Sequence, residues 1–210
     1  MRIDINRALC CGLMVLLMSA AQPGAAADWT IVVEDAYSRA LPEAALYLTG
    51  GPGRGSRAAG SAEVQQRNRK FEPGITVVQT GTAMTFPNRD TIRHSVYSFS
   101  RAKSFQLKMF PGKTAEPIVF DQPGIVTVGC NIHDEMAAWI LVVDTPLVGK
   151  ADSKGRFVFR DLKPGTYQLF AWYPGLDAAS RQQTIVVDAA QPGEVRVHLD
   201  VMPIEAEAQS

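Results

Sequence analysis

Seven Pro-Gly pairs, starting at Pro52, Pro73, Pro111, Pro123, Pro164, Pro174 and Pro192, cut the chain beyond residue 50 into short pieces. Proline presets φ at one corner of a tight turn and glycine accepts positive φ at the next, so each pair predicts a chain reversal. Between the pairs lie runs rich in β-branched and aromatic residues: 75–80, 94–99, 104–110, 124–130, 137–144, 155–162, 166–173, 183–188 and 194–201. Several alternate apolar and polar side chains, which is the period of a strand covered on one face; "RFVF", "TYQLFAW" and "EVRVHLDV" show it best. No long segment carries a helical stripe. An all-β chain of sandwiches or barrels joined by short turns is the expectation.

Two segments stand outside this pattern. Residues 1–27 place Arg2 and Arg7 before an apolar run from Ala8 to Ala21 and end on Ala25-x-Ala27. That order predicts a secretory signal peptide cleaved near Ala27, and the run is shorter than the roughly 20 apolar residues of a spanning helix. No second run is long enough to span, so a soluble periplasmic or secreted protein without membrane insertion is expected. Residues 50–61, "GGPGRGSRAAGS", offer almost nothing to bury and read as an exposed linker. The polar stretch 202–210 reads as a disordered tail.

Export alters the arithmetic of charge and cysteine. Without Arg2, Arg7 and Asp4, the 21 basic and 21 acidic residues become 19 and 20, a formal net charge of −1. Phosphate binding needs an excess of Lys and Arg, so nucleic acid is not the expected partner. Cys10 and Cys11 leave with the signal, and Cys130 is then the one cysteine that remains. An oxidising compartment favours paired cysteines; an unpaired one is left to cross-link chains, stay buried or bind metal.

Cys130 opens "CNIHDEM", which sets His133 three residues on and Met136 three further. His94 follows the polar turn "PNRD" and starts another apolar run, whereas His198 alternates with Val197 and Leu199 as a solvent-face residue would. One thiolate, two imidazoles and one thioether are a poor zinc set, because structural zinc closes on Cys and His. The same donors are the set of a type 1 copper centre, in which soft sulfur suits Cu(I) and imidazole tolerates both oxidation states. Two other readings stay open: a Cys130 nucleophile activated by His133, and copper storage or delivery. A multicopper oxidase would need H-x-H pairs, and the sequence has none.

The segment "EVQQRNRKFEPGITVVQTGTAMTFPNRDTIRHSVYSFS", followed by "FDQPGIVTVGCNIHDEMAAWILVVD", resembles the cupredoxins, the plastocyanin and amicyanin family. The shared marks are F-x-P before a strand, F-x-N-x-D before the first histidine, and a strand carrying G-x-x-x-x-x-C that leads to the second histidine and the methionine, with the spacing C-x2-H-x2-M. The resemblance implies a Greek-key β-sandwich over 62–143. It also implies His94, Cys130, His133 and Met136 as ligands of one type 1 copper. Ser95 follows the first ligand where many members carry Asn. The resemblance further implies a non-enzymatic carrier of single electrons. His133 would be its electron port, Pro87 and Ala137 candidates for the rim, and a c-type cytochrome or periplasmic dehydrogenase the kind of partner. The basic side chains Arg101, Lys103, Lys108 and Lys113 would steer an acidic partner or simply cover a solvated strand.

The later segment "ADSKGRFVFRDLKPGTYQLFAWYPG" joins D-x-x-G-x-F to L-x-P-G-x-Y and resembles the transthyretin-like, carboxypeptidase regulatory-type sandwich. The strand, turn and proline with which such a unit opens fit residues 30–48. The expected organisation is a small sandwich made from 28–50 and 145–201, with the cupredoxin unit inserted. Its rival is two consecutive domains.

Overall fold

A computed structural model describes residues 26–52, 60–109, 111–112, 115–176, 182–187 and 193–202. Residues 1–25 of the expected signal peptide, the body of the linker, Lys113 and all but the first residue of the expected tail lie outside the described residues, whereas Ala27, the last residue of that expected peptide, is buried at the start of a strand. The all-β expectation holds, since every named element among the described residues is a strand. No helix among them is long and apolar enough to cross a membrane.

Residues 27–50 and 148–199 share two sheets. In one, β1 (Ala27–Asp35) lies between β14 (Arg156–Leu162), antiparallel, and β17 (Gly193–Leu199), parallel. The other is antiparallel, in the order β13 (Val148–Lys150), β2 (Ala45–Gly50), β15 (Gly165–Trp172), β16 (Gln182–Val187).

Residues 61–143 make the remaining three. The largest runs β6 (Ile75–Gln79), β12 (Ala137–Val143), β11 (Gly124–Cys130), β8 (His94–Ser100), β9 (Lys103–Met109), with only β6 and β12 parallel. A smaller sheet orders β10 (Ile118–Phe120), β7 (Thr82–Thr85), β3 (Ser61–Glu63), and the last is the hairpin β4 (Gln65–Arg67)–β5 (Lys70–Glu72).

Two apolar cores fill these layers. One gathers Ile31, Val33, Leu46, Leu48, Leu169, Trp172, Val197 and Leu199. The other gathers Val64, Phe71, Met84, Phe86, Val96, Phe120, Val126 and Val128, with Cys130 and Met136 at its end. Strand β12 serves both. Ala138, Ile140 and Val142 point into the second core, while Leu141 and Val143 join the first, with Trp139 packed against it. A strand covered on both faces reads as a continuous apolar run, and "AAWILVV" is one. Fully burying a Val, Ile or Leu side chain such as Val142, Ile140 or Leu141 is worth about 1.5–3 kcal/mol. The strand that leads away from Cys130, His133 and Met136 is thus held from both sides.

Asp35 ends β1 and is fully buried. Its carboxylate accepts the amides of Tyr37 and Arg39, each at 2.8 Å, and Arg39 Nε at 2.6 Å. Burial opposes its charge, but the Arg39 amide and guanidinium with the Tyr37 amide outweigh burial and hold the carboxyl below its ordinary 3.8. A folded value below the unfolded one, about 3.9, contributes stability above that pH and loses it as pH falls further. The urea midpoint should therefore drop as pH falls below about 4. Asp35→Asn, already weakened at neutral pH, should show a shallower drop; an equal drop in both proteins would remove Asp35 from the account.

Candidate metal centre

His94 begins β8, with its side chain fully buried. The loop before it is fixed by side chains that act as backbone. Asn88 is buried, donates from Nδ2 to Ile92 O at 2.7 Å and accepts the Asp90 amide on Oδ1 at 2.9 Å. Gln66 is also buried; its amide donates to Pro87 O at 2.9 Å and its Nε2 to Phe86 O at 2.8 Å. The loop therefore rests on the β4 strand, which the sequence leaves far from it.

Cys130 is the last residue of β11, buried, and paired across the sheet with Val96. The next residues turn back tightly: Met136 N donates to His133 O at 3.0 Å and Cys130 N to Met136 O at 3.2 Å. This closed turn brings His133 Nδ1 to 3.9 Å from Cys130 Sγ, and His94 Nδ1 stands 3.8 Å from the same sulfur. The two imidazole rings are 5.0 Å apart and inclined at 60°. One donor atom from each of His94, Cys130 and His133 lies within 4.8 Å of the others. Met136 is buried in the same core as Cys130. Of the four residues singled out in the sequence, three are brought together as donors and the fourth closes the turn beside them.

The donor set fits a metal ion. Metal–imidazole bonds near 2.0 Å and metal–thiolate bonds near 2.3 Å, in a trigonal arrangement, separate N from S by about 3.7 Å. The distances to the two Nδ1 atoms match that, and both exceed a good hydrogen bond. Among the described residues this is the one group of His, Cys, Asp and Glu close enough to hold an ion.

Asp90, the last residue of the F-x-N-x-D mark, has no role assigned to it by the sequence. Its Oδ2 sits 2.8 Å from His94 Nε2, and its two oxygens accept the amides of Asn68 at 2.6 Å and Arg69 at 3.0 Å. Burial disfavours its charge, but the Arg69 amide, the His94 ring and the Asn68 amide prevail and hold the carboxyl below its ordinary value. The available signal was a carboxylate four residues before a histidine.

The surroundings correct one expectation. Pro87 is buried and cannot form a solvent rim, because the Gln66 amide binds its carbonyl from within. Ala137 and Ile132 are exposed beside the half-buried His133. Of the basic run, Arg101 and Lys108 are exposed and Lys103 pairs with Asp121 at 2.9 Å. His198 is exposed on β17. A groove of about 540 Å³ reaches Cys130 between Tyr97, Phe99, Thr127 and Ala137.

Comparison with known proteins gives partial matches. A family model described as polysaccharide lyase family 4, domain II, matches residues 148–194. No curated protein matches the chain. Among solved structures, the chain is similar to a copper-containing nitrite reductase from Thermus scotoductus SA-01, at 27% identity and TM-score 0.37, over 40% of this chain and 22% of that one. It is similar to a variant of amicyanin in its oxidised state at 23% identity and TM-score 0.35, over 39% of this chain and 81% of that one. A purple cupredoxin from Nitrosopumilus maritimus matches at 20% identity and TM-score 0.34, over 39% and 98%. The chain thus spans about a fifth of the nitrite reductase.

Met136 is core as well as candidate ligand, so its role divides. In metal-free protein, Met136→Ala should lower unfolding stability by about 2–5 kcal/mol, as for other buried large-to-small changes. Urea denaturation of the apo form measures it; an unchanged midpoint would mean the side chain is not packed as described.

Proposed function

We propose that this chain is an exported type 1 copper protein that carries single electrons between redox partners. His94, Cys130, His133 and Met136 would be its ligands. The observation that carries the reading is the pair of 3.8 and 3.9 Å separations between one buried thiol and two imidazole Nδ1 atoms. Copper, when bound, supplies a Cu(II)/Cu(I) couple.

The protein's own part is to hold donors still. Cys130 is fixed by its place at the end of β11, and His94 by Asp90. His133 and Met136 are held by the amide bonds that close their turn. A site held this way resists rearrangement when an electron arrives or leaves, which suits transfer over storage. His133 is the ligand nearest solvent, flanked by exposed Ile132 and Ala137, and serves as the port in this reading. A small apolar contact suits brief docking with a c-type cytochrome or a periplasmic dehydrogenase. In this reading the sheets built from 27–50 and 148–199 form a discontinuous sandwich that carries the copper unit as an insertion, and among the described residues its part is structural.

Copper-loaded protein should be intensely coloured under oxidant, bleach reversibly with one reducing equivalent, and lose the colour in Cys130→Ser. A colourless protein that binds Cu(I) and yields it to a chelator would instead make copper the cargo. Failure to retain any metal would end the proposal.

A further inference from the structure

The hold on His94 begins well outside the ligands. The hairpin β4–β5 turns through Asn68 and Arg69, both with positive φ, at 51° and 57°. Two successive left-handed residues make the tight turn that matches strand twist, and they aim neighbouring amides to one side. Here both amides point at Asp90 and bind its carboxylate at 2.6 and 3.0 Å. Asn88 accepts the Asp90 amide, and Gln66 ties the loop to β4. One hairpin turn therefore binds both oxygens of a carboxylate whose backbone Asn88 holds, and whose Oδ2 meets the ring of a completely buried histidine at 2.8 Å.

We infer that Asp90, clamped by the Asn68–Arg69 turn, is a positioning residue that fixes His94 with its proton on Nε2 and its Nδ1 lone pair toward Cys130. The inference rests on the metal-site reading for its consequence, but not for the geometry. Both oxygens of Asp90 already accept backbone amides, so the ring nitrogen facing them is placed to donate. That places Nδ1 on the side of the thiol. A carboxylate in this position also makes the imidazole a stronger donor to a metal, and it favours the more highly charged oxidation state.

The first test uses the full chain with no metal. Long-range proton–nitrogen spectra should show His94 as a single Nε2–H tautomer, its proton exchanging at least about tenfold more slowly than that of exposed His198. An Nδ1–H tautomer, or fast averaging of the two, overturns the inference. The second test uses copper-loaded variants. Asp90→Asn keeps the shape and removes the charge; it should cut the ratio of Cu(II) to Cu(I) affinity about tenfold, raising the potential by about 59 mV. Asp90→Glu should restore part of the shift. Arg69→Gly retains both the amide and the left-handed turn and should leave the potential unaltered. A folded Asp90→Asn protein with an unchanged potential overturns the electrostatic role. If Asp90→Asn does not fold, the tautomer in the natural chain decides. If the natural chain binds no copper, the functional reading fails while the metal-free spectrum still reports on the clamp.

Discussion

Strand β12 is covered on both faces, and much of the molecule is organised by that. Leu141 and Val143 give its outer side to the core made mainly from 27–50 and 148–199. Ala138, Ile140 and Val142 give its inner side to the core that ends at Cys130. Its neighbour β11 runs antiparallel to it, from Gly124↔Val142 at one end to Gly129↔Ala137 at the other. The turn that holds Cys130, His133 and Met136 is the connection between these two strands. A strand that cannot pull away from either core without exposing apolar surface is a firm base for a short loop. The second pair of sheets thus does more than hang beside the candidate centre, because it supplies half of that constraint.

Opposite this apolar foundation stands a polar one. Gln66, Asn88 and Asp90 sit behind His94, and their side chains replace ladder bonds that an irregular loop cannot make. Buried polar groups are tolerated when partnered, and a network of them admits one arrangement where apolar packing would admit several. Gln66 Oε1 is the member without a partner, whereas the remaining contacts of the group are short and reciprocal. The two supports meet at the candidate ligands: packing buries Cys130 and Met136, whose turn is also closed by amide bonds, and side-chain hydrogen bonds secure the deeper imidazole.

Much of this was legible in the residues, and the exceptions have physical causes. The longer strands declared themselves through period-two alternation or through runs such as 137–144. The strands β3, β4, β5, β10 and β13 are three residues each, too short for any period to register. Cys130, His133 and Met136 were visible because adjacency along the chain becomes adjacency in a turn. His94 stood out as the second imidazole of the donor count, although thirty-six residues separate it from Cys130 and adjacency along the chain gave no sign of it. Asp90 was visible as part of F-x-N-x-D, but its clamp was not, because its amide partners lie 21 and 22 residues away, in a hairpin whose sequence shows only polar turn chemistry. Pro87 misled for a related reason: proximity to a ligand in sequence says nothing about which way a loop faces.

The parallel pairing of β1 with β17 has a bearing on the order in which the molecule assembles. Thr30 and Glu194 stand side by side in that sheet, as do Glu34 and His198, although most of the chain lies between them. Every contact within 61–143 spans a shorter loop than these, and loop closure grows costlier with length. The stretch bearing the candidate ligands can gather itself early, while β1 waits unpaired on that side until the last strand is available. Completion of the sheet around β1 then closes the core made mainly from 27–50 and 148–199, a step that the gathering of the candidate ligands does not have to await.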